Sequence, residues 1–220
     1  MQHPLSFSAK AIEGVRGKGY SVSRGRGNMI EKMVIGIVNQ MEAENLIGAQ
    51  EKEDYIYAYT ASCEKILTLG AICVLGVIFD NVLNTLLFLG FFLTLRRRTG
   101  GFHADTFGKC YIGTIAIYIG VYLSSRIFIQ YFHFLLCMLV SSICAVEIIG
   151  TVNHPNMDMD NAELAGSKRA ARIMGITEGI FIVFFLYVGV SRVTIGYMAM
   201  GVIVCAILLC IAKIIGQEVK

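Results

Sequence analysis

Charged residues are scarce in this sequence. Only 16% of its 220 residues are Asp, Glu, Lys or Arg, whereas soluble domains usually carry about 25%. The hydrophobic fraction is 55% and the mean hydropathy is +0.64. Two stretches, 81–95 and 110–125, contain no charged side chain at all. Because lipid accepts such stretches whereas water leaves them as exposed apolar surface, we expect an all-α, polytopic membrane protein with one membrane domain.

The cysteine pairs of a metal or redox site are also missing. The chain has seven cysteines, and no two of them form a CxxC pair. Zinc binding and thioredoxin-like chemistry therefore find no support, and we expect neither a metal nor another cofactor. Six of the cysteines sit in apolar stretches, where a free thiol behaves as a small hydrophobic group. Only Cys110 has polar neighbours.

The apolar region of a cleavable signal peptide is absent from the first 28 residues, which combine basic residues with glycine and serine. We expect residues 1–28 to form a flexible basic arm outside the core, and we do not expect it to bind nucleic acid. From Ile30 to Met41 the apolar residues recur at helical spacing between charged ones. This pattern predicts an amphipathic helix lying along the bilayer surface, with a helix packed on a partner domain as the alternative.

The hydrophobic segments after this amphipathic helix predict between four and six membrane spans, and six is the preferred number. A perpendicular span needs about 20 residues, and the second segment is shorter than that, so a re-entrant segment is the alternative there. The segments cover residues 57–79, 82–95, 111–129, 131–151, 173–191 and 193–215.

The distribution of basic residues predicts the orientation of these spans. With six spans and a cytoplasmic N-terminus, only Arg126 and Arg192 fall on the outer side, and all other Lys and Arg residues of the loops and tails lie inside. We therefore expect both termini in the cytoplasm. The polar loops 96–110 and 152–172 then face the cytoplasm together.

The first of these loops contains a histidine and a cysteine that are suited to nucleophilic catalysis. A cysteine nucleophile needs a base to form its thiolate, and histidine is the usual one. In a straight helix His103 and Cys110 would lie about 10 Å apart, so the pair requires the chain to fold back between them. Gly100 and Gly101 favour such a path, and a helix beginning at Cys110 would favour the thiolate.

Arg96, Gly101, His103 and Cys110, at these spacings before a hydrophobic segment, resemble the core motif of the accessory gene regulator protein B (AgrB) family. The second loop, with Pro155 and Asn156 followed by acidic and then basic residues, resembles the family less closely. The similarity covers about residues 29–215. It implies that residues 29–220 form a membrane peptidase domain in a bacterial cell membrane.

The resemblance also implies a reaction and a partner. Members of this family are membrane cysteine endopeptidases that process signalling-peptide precursors resembling AgrD in quorum sensing. It implies that Cys110 attacks a peptide bond with His103 as the base, that a thioester forms, and that a thiolactone or lactone ring closes. Arg96, Gly100 and Gly101 would support this motif. Basic residues of both loops would attract the acidic tail of the precursor, namely Arg97, Arg98, Lys168, Arg169 and Arg172.

A third catalytic residue is not evident from the sequence. Glu147 is our candidate for orienting His103, and Glu178 is the other carboxylate inside a hydrophobic segment. Two further functions remain open at this point, a small transporter and a non-catalytic membrane protein that binds a peptide. Besides the precursor, membrane lipid and a second copy of the chain in a homodimer are the partners considered.

Overall fold

The described part of the chain is entirely helical. The computed structural model describes residues 29–48, 50–100, 107–153 and 159–216, with only the backbone described at positions 126 and 129. Within these ranges no residue forms a strand, which confirms the predicted fold class. The seven helices are α1 (Met29–Ala43), α2 (Lys52–Ile78), α3 (Val82–Thr99), α4 (Phe107–Gln130), α5 (Phe132–Ile149), α6 (Asn161–Tyr187) and α7 (Arg192–Ile215).

Five of these helices are long and apolar enough to cross a membrane, namely α2, α4, α5, α6 and α7. Large apolar side chains cover their outer surfaces, including Leu123, Ile148 and Ile180, each more than half exposed. Such side chains are stable only against lipid. The chain is therefore a multi-pass membrane protein. The shorter helix α3, which ends in three arginines, is not among the five, so the sixth span stays a prediction.

The chain divides into two compact units, and the division falls within α2 between Glu64 and Lys65. In the first unit, Val34 and Val38 of α1 are buried together with Ile47. Lys52 and Glu42 form a partly exposed ion pair of 2.7 Å. The amphipathic helix predicted from the apolar spacing is thus present, and its position at the bilayer surface stays a prediction.

The second unit is built around α7, which contacts α3, α4, α5 and α6. Thirteen of its 24 residues are buried, as expected for a helix that is hydrophobic on all sides. Its N-terminus is capped by Ser191, whose hydroxyl accepts a hydrogen bond of 3.2 Å from the Thr194 amide. It ends at Gly216 in the left-handed conformation, a common helix stop.

Two helix boundaries differ from the hydrophobic segments. Helix α6 begins at Asn161, because Asp160 and Glu163 form a capping box in which each side chain accepts a hydrogen bond from the other's backbone amide. The predicted loop 152–172 is therefore wrong over its second half, which is helical. Likewise α3 continues through its arginines to Thr99, and α4 begins at Phe107. The connection between α3 and α4 is thus shorter than the predicted loop 96–110.

Candidate functional site

The C-terminal end of α3 meets the connection between α5 and α6. The last carbonyls of a helix have no partner within it. Here the Arg98 carbonyl accepts hydrogen bonds from the hydroxyls of Thr151 (2.8 Å) and Ser167 (3.1 Å). The Thr99 carbonyl accepts one of 3.2 Å from the Val152 amide. Residues of the two predicted polar loops therefore lie together at one end of the second unit.

Asn153 shapes the chain that follows this contact. Its side-chain amide nitrogen donates to the Met159 carbonyl, and its side-chain oxygen accepts from the Met159 amide, both at 3.1 Å. The two bonds hold the ends of the connection close together, directly before the capping box that starts α6. The second polar connection is thus anchored at both ends against helices.

The side chain of Arg96 reaches over the C-terminal end of its own helix. Its guanidinium donates a hydrogen bond to the carbonyl of Gly100, and the Gly100 amide donates one of 3.2 Å to the Arg96 carbonyl. Gly100 has a φ of +65°, which a residue with a Cβ rarely adopts. Arg96 and Gly100 therefore act together in turning the chain at the end of α3. Gly101 and His103 lie outside the described residues.

Cys110 is the fourth residue of α4, so the helix begins three residues before the predicted start, and the cysteine side chain is exposed. Ile117 and Val121 follow it by seven and eleven positions and so lie on the same face of the helix. Both pack in the core of the second unit. Cys110 thus lies on the same side of α4 as these core residues, at the exposed N-terminal end of the helix. Its place in the first turn puts its thiol in the positive field of the helix N-terminus.

Arg96 is a cation that interacts electrostatically with this thiol. Burial lowers the pKa of Arg96, while the nearby sulfur atoms of Cys205 and Cys110 raise it when they carry charge. An arginine side chain keeps its proton in proteins. Arg96 is therefore a permanent positive charge within electrostatic range of Cys110. On its other side, the buried Cys205 sulfur lies 3.3 Å from the hydroxyl of Thr99.

The two candidate carboxylates occupy different surroundings. One oxygen of Glu147 is buried without a hydrogen-bond partner in the described part of the chain, and its backbone carbonyl accepts a bond of 2.8 Å from Arg172. Glu178 is 5% exposed, and one of its oxygens lies 2.5 Å from the hydroxyl of Thr94. A contact of either carboxylate with His103 lies outside the described residues, so the assignment of Glu147 as orienter stays a prediction.

The basic residues of the two loops differ in what they do. Arg97 and Arg98, in the last turn of α3, and Arg169 of α6 are exposed. Arg172 is exposed as well, but its Nε atom is used in the bond to the Glu147 carbonyl. Lys168 packs against Gly150, since a Cβ atom built on that glycine would lie 3.0 Å from its Cγ. Basic side chains of both loops thus belong to helices whose ends meet.

Sequence reasoning missed the hydroxyl groups that join these helices. Thr94, Thr99, Thr151 and Ser167 all make hydrogen bonds to other elements at this end of the unit. Thr99 and Ser167 lie next to basic clusters in the sequence, whereas Thr151 has no such neighbour. Within the ranges that the structure describes, no three His, Cys, Asp or Glu residues are grouped to hold a metal ion.

These features define a multi-pass helical membrane protein with an exposed thiol in the first turn of α4, basic side chains near the meeting ends of α3, α5 and α6, and a buried carboxyl group within α6. The family model described as Accessory gene regulator B (AgrB) matches residues 33–214. The chain therefore belongs to the AgrB family. A comparison with curated proteins and one with solved structures found no match. Family membership supports a role in quorum-sensing peptide processing and an interaction with an AgrD-like precursor.

Proposed function

We propose that this protein is a membrane-embedded cysteine endopeptidase that cleaves the C-terminal part of an AgrD-like precursor and promotes cyclisation of the remaining peptide. The observation that carries the proposal is the position of Cys110. Its thiol is exposed in the first turn of α4, on the bundle-facing side, and within electrostatic range of Arg96. A helix N-terminus and a nearby cation both stabilise a thiolate, which is the reactive form of cysteine.

In the proposed reaction, His103 takes the proton of Cys110 and the sulfur attacks the carbonyl carbon of the scissile peptide bond. The carbon–nitrogen bond breaks, His103 returns the proton to the leaving amine, and a thioester remains on Cys110. A thiol or hydroxyl of the bound peptide then loses its proton to His103 and attacks the thioester. Cys110 leaves as the thiolate and the ring closes. Glu147 is the proposed orienter of His103.

Exclusion of water decides whether the thioester cyclises or hydrolyses, because exchange of one thioester for another is nearly isoenergetic. Water at the site would divert the intermediate to a linear acid. The helix that carries Cys110 is one of the five candidate spans and exposes apolar side chains such as Ile112 and Leu123. Lipid around these side chains is the proposed barrier to water.

The proposed setting follows the positive-inside rule. We place the protein in the bacterial cell membrane with both termini, Arg97 and Asp160 in the cytoplasm and Arg192 outside. Residues 1–28 are the proposed basic arm and residues 29–220 the peptidase domain. The chain would bind lipid and form a homodimer. Labelling of single cysteines in intact cells tests the orientation, and opposite sides for positions 97 and 160 would refute it.

The decisive test compares two exposed cysteines. Cys110→Ala removes the proposed nucleophile, whereas Cys137→Ala removes a thiol that is also exposed but lies on α5. With purified protein in liposomes and a synthetic AgrD-like precursor, mass spectrometry should show no cleavage by Cys110→Ala and normal cleavage by Cys137→Ala. Cleavage by Cys110→Ala at a normal rate would exclude the cysteine mechanism.

A thiol probe distinguishes the enzyme from a protein that only binds the peptide. Alkylation should be much faster at Cys110 than at Cys137 or Cys144, which lie on the candidate span α5 and serve as internal references. If His103 is the base, His103→Ala should remove this difference while leaving the alkylation of Cys137 unchanged. Equal rates in the unaltered protein would favour a binding protein without catalysis.

A further inference from the structure

Glu178 lies in the interior of the second unit, on the side of α6 that faces the other helices. The buried residues of α6 are Ala171, Gly175, Glu178, Gly179 and Ile182, which recur at helical spacing and form one stripe. Glu178 is the only ionisable residue of this stripe. A charged carboxylate at such a position is costly unless it is paired with a cation or accepts several hydrogen bonds.

Within the described ranges, no cation forms an ion pair with Glu178, and Thr94 is its one side-chain hydrogen-bond partner. One oxygen, Oε2, is buried and has no hydrogen-bond partner within the described ranges. The nearest helices contribute the Cys205 thiol from α7, which is within electrostatic range, and the Glu147 carboxyl group from α5, which lies near Gly175 one turn away. Arg96 of α3 is directed to Gly100. The neighbours of Glu178 are therefore better suited to a neutral acid than to an anion.

The hydrogen bonds of Thr94 support the same conclusion independently. Its hydroxyl oxygen lies 2.5 Å from Oε1 of Glu178 and 2.7 Å from the Gly90 carbonyl oxygen. A hydroxyl has one hydrogen, and a carbonyl oxygen can only accept. If that hydrogen goes to Gly90, the hydrogen between Thr94 and Glu178 must come from the carboxyl group. Both contacts are then hydrogen bonds when Glu178 is protonated, whereas an ionised Glu178 would compete with the Gly90 carbonyl for the one hydroxyl hydrogen.

We propose that Glu178 is a positioning residue that acts as a neutral acid and holds the last turns of α3 by donating a hydrogen bond to Thr94. This inference rests on the proposed function, because its purpose is to keep Arg96 within electrostatic range of Cys110. Arg96 follows Thr94 by two residues, so a rotation or shift of α3 at Thr94 displaces the arginine directly. The bonds at Arg98 and Thr99 hold the chain after Arg96, and the bond at Thr94 holds it before Arg96.

The test uses three variants of the full-length protein in liposomes. Glu178→Gln keeps the shape and a donor but cannot ionise, so kcat should stay within about threefold of the unaltered protein. Glu178→Ala removes the donor and should lower kcat by about 10- to 100-fold, the size of effect expected from a misplaced catalytic group. Thr94→Val should cause a similar loss. KM should change little, because the substrate does not touch this bond.

Two further readouts separate positioning from a general loss of structure. The double variant Thr94→Val with Glu178→Ala should be no worse than either single variant, because both remove the same interaction. Infrared spectra at neutral pH should show the carbonyl stretching band of a protonated carboxylic acid, and Glu178→Gln should lack it. This band does not depend on catalytic activity.

A loss in Glu178→Gln as large as in Glu178→Ala would overturn the inference, since it would show that an ionised carboxylate is needed. Full activity of Glu178→Ala, or absence of the infrared band, would overturn it as well. These outcomes are distinct from failure of the proposed function. That failure appears as cleavage by Cys110→Ala, whatever the Glu178 variants do.

Discussion

Gly150 shows how a single residue joins the two halves of the candidate site. It ends α5 with a φ of +71°, in the left-handed region that favours glycine. Its amide donates a hydrogen bond of 2.7 Å to the Val146 carbonyl. The missing side chain also lets Lys168 of α6 pack against the backbone. The turn at Gly150 thereby places the Thr151 hydroxyl where it donates a hydrogen bond to the Arg98 carbonyl at the end of α3.

We expect Gly150→Ala to destabilise the protein by about 1–2 kcal/mol, because an L-residue is strained in this conformation and its Cβ would lie 3.0 Å from the Lys168 Cγ. Gly120→Ala is the matched control, since its Cβ would meet nothing within 4 Å and alanine favours a helix. Thermal unfolding in detergent micelles should show a lower midpoint for the first variant only. Equal unfolding midpoints for the two variants would mean that the turn at Gly150 accommodates alanine without strain.

The sequence located some site residues and could not locate others. Cys110 was placed correctly at the start of a helix, because a polar loop and an apolar segment meet there. Glu178 stood out as a carboxylate in an apolar segment, which is costly anywhere in a membrane. Thr94 and Cys205 carried no comparable signal. A threonine or cysteine is common in such segments, and its partner is set by how helices pack rather than by its neighbours in sequence.

At the scale of helices, apolar segments predicted where the membrane is crossed and not where helices end. Backbone hydrogen bonds continue beyond the apolar segments, so α3 runs through its arginines and α6 begins at 161 rather than 173. The capping box of Asp160 and Glu163 was present in the sequence as D-x-x-E and predicts this start. The basic residues of both loops consequently project from helical turns, with defined spacing.

Neighbouring helices approach each other closely at several glycines. Alanine substitutions at two of these glycines should lower the stability of the protein by different amounts. A Cβ at Gly201 of α7 would lie 2.9 Å from the Phe88 carbonyl oxygen and 3.0 Å from the Phe92 amide nitrogen of α3. Because backbone atoms cannot move aside, Gly201→Ala should separate the helices and cost about 1–3 kcal/mol. Gly179→Ala meets only the terminal methyl of Ile143, at 2.7 Å, and should cost less.

Thermal unfolding of the two glycine variants in the same detergent tests this order. The Gly201→Ala variant should also lose precursor cleavage, since α3 carries Arg96 and its position depends on α7. The Gly179→Ala variant should retain cleavage, because a rotation of the Ile143 side chain relieves its contact. The reverse order of stability would show that the approach of α3 to α7 is looser than these distances indicate.

At the scale of the whole molecule, charge is the feature most fully predictable from sequence. Predicting that Lys and Arg concentrate in alternate connections requires only their order along the chain. Their individual roles need the structure, since Arg172 bonds a helix end and Lys168 packs on Gly150, whereas Arg97, Arg98 and Arg169 are exposed. The exposed arginines are therefore the better candidates for attracting an acidic precursor tail.

Neutralising these three arginines to glutamine should raise KM for an acidic precursor several-fold and leave kcat nearly unchanged. Exposed charges act mainly on encounter and ground-state binding, whereas the reacting bond lies at Cys110 in the proposed mechanism. The rise in KM should shrink with salt, because the Debye length falls from about 10 Å at 0.1 M to about 3 Å at 1 M. Steady-state kinetics in liposomes at both salt concentrations measure this.

The contrasting variant is Arg172→Gln, whose effect should fall on stability and persist in high salt, since it removes a hydrogen bond to the end of α5. A triple variant with unchanged KM at low salt would leave the arginines with no role in binding the tail.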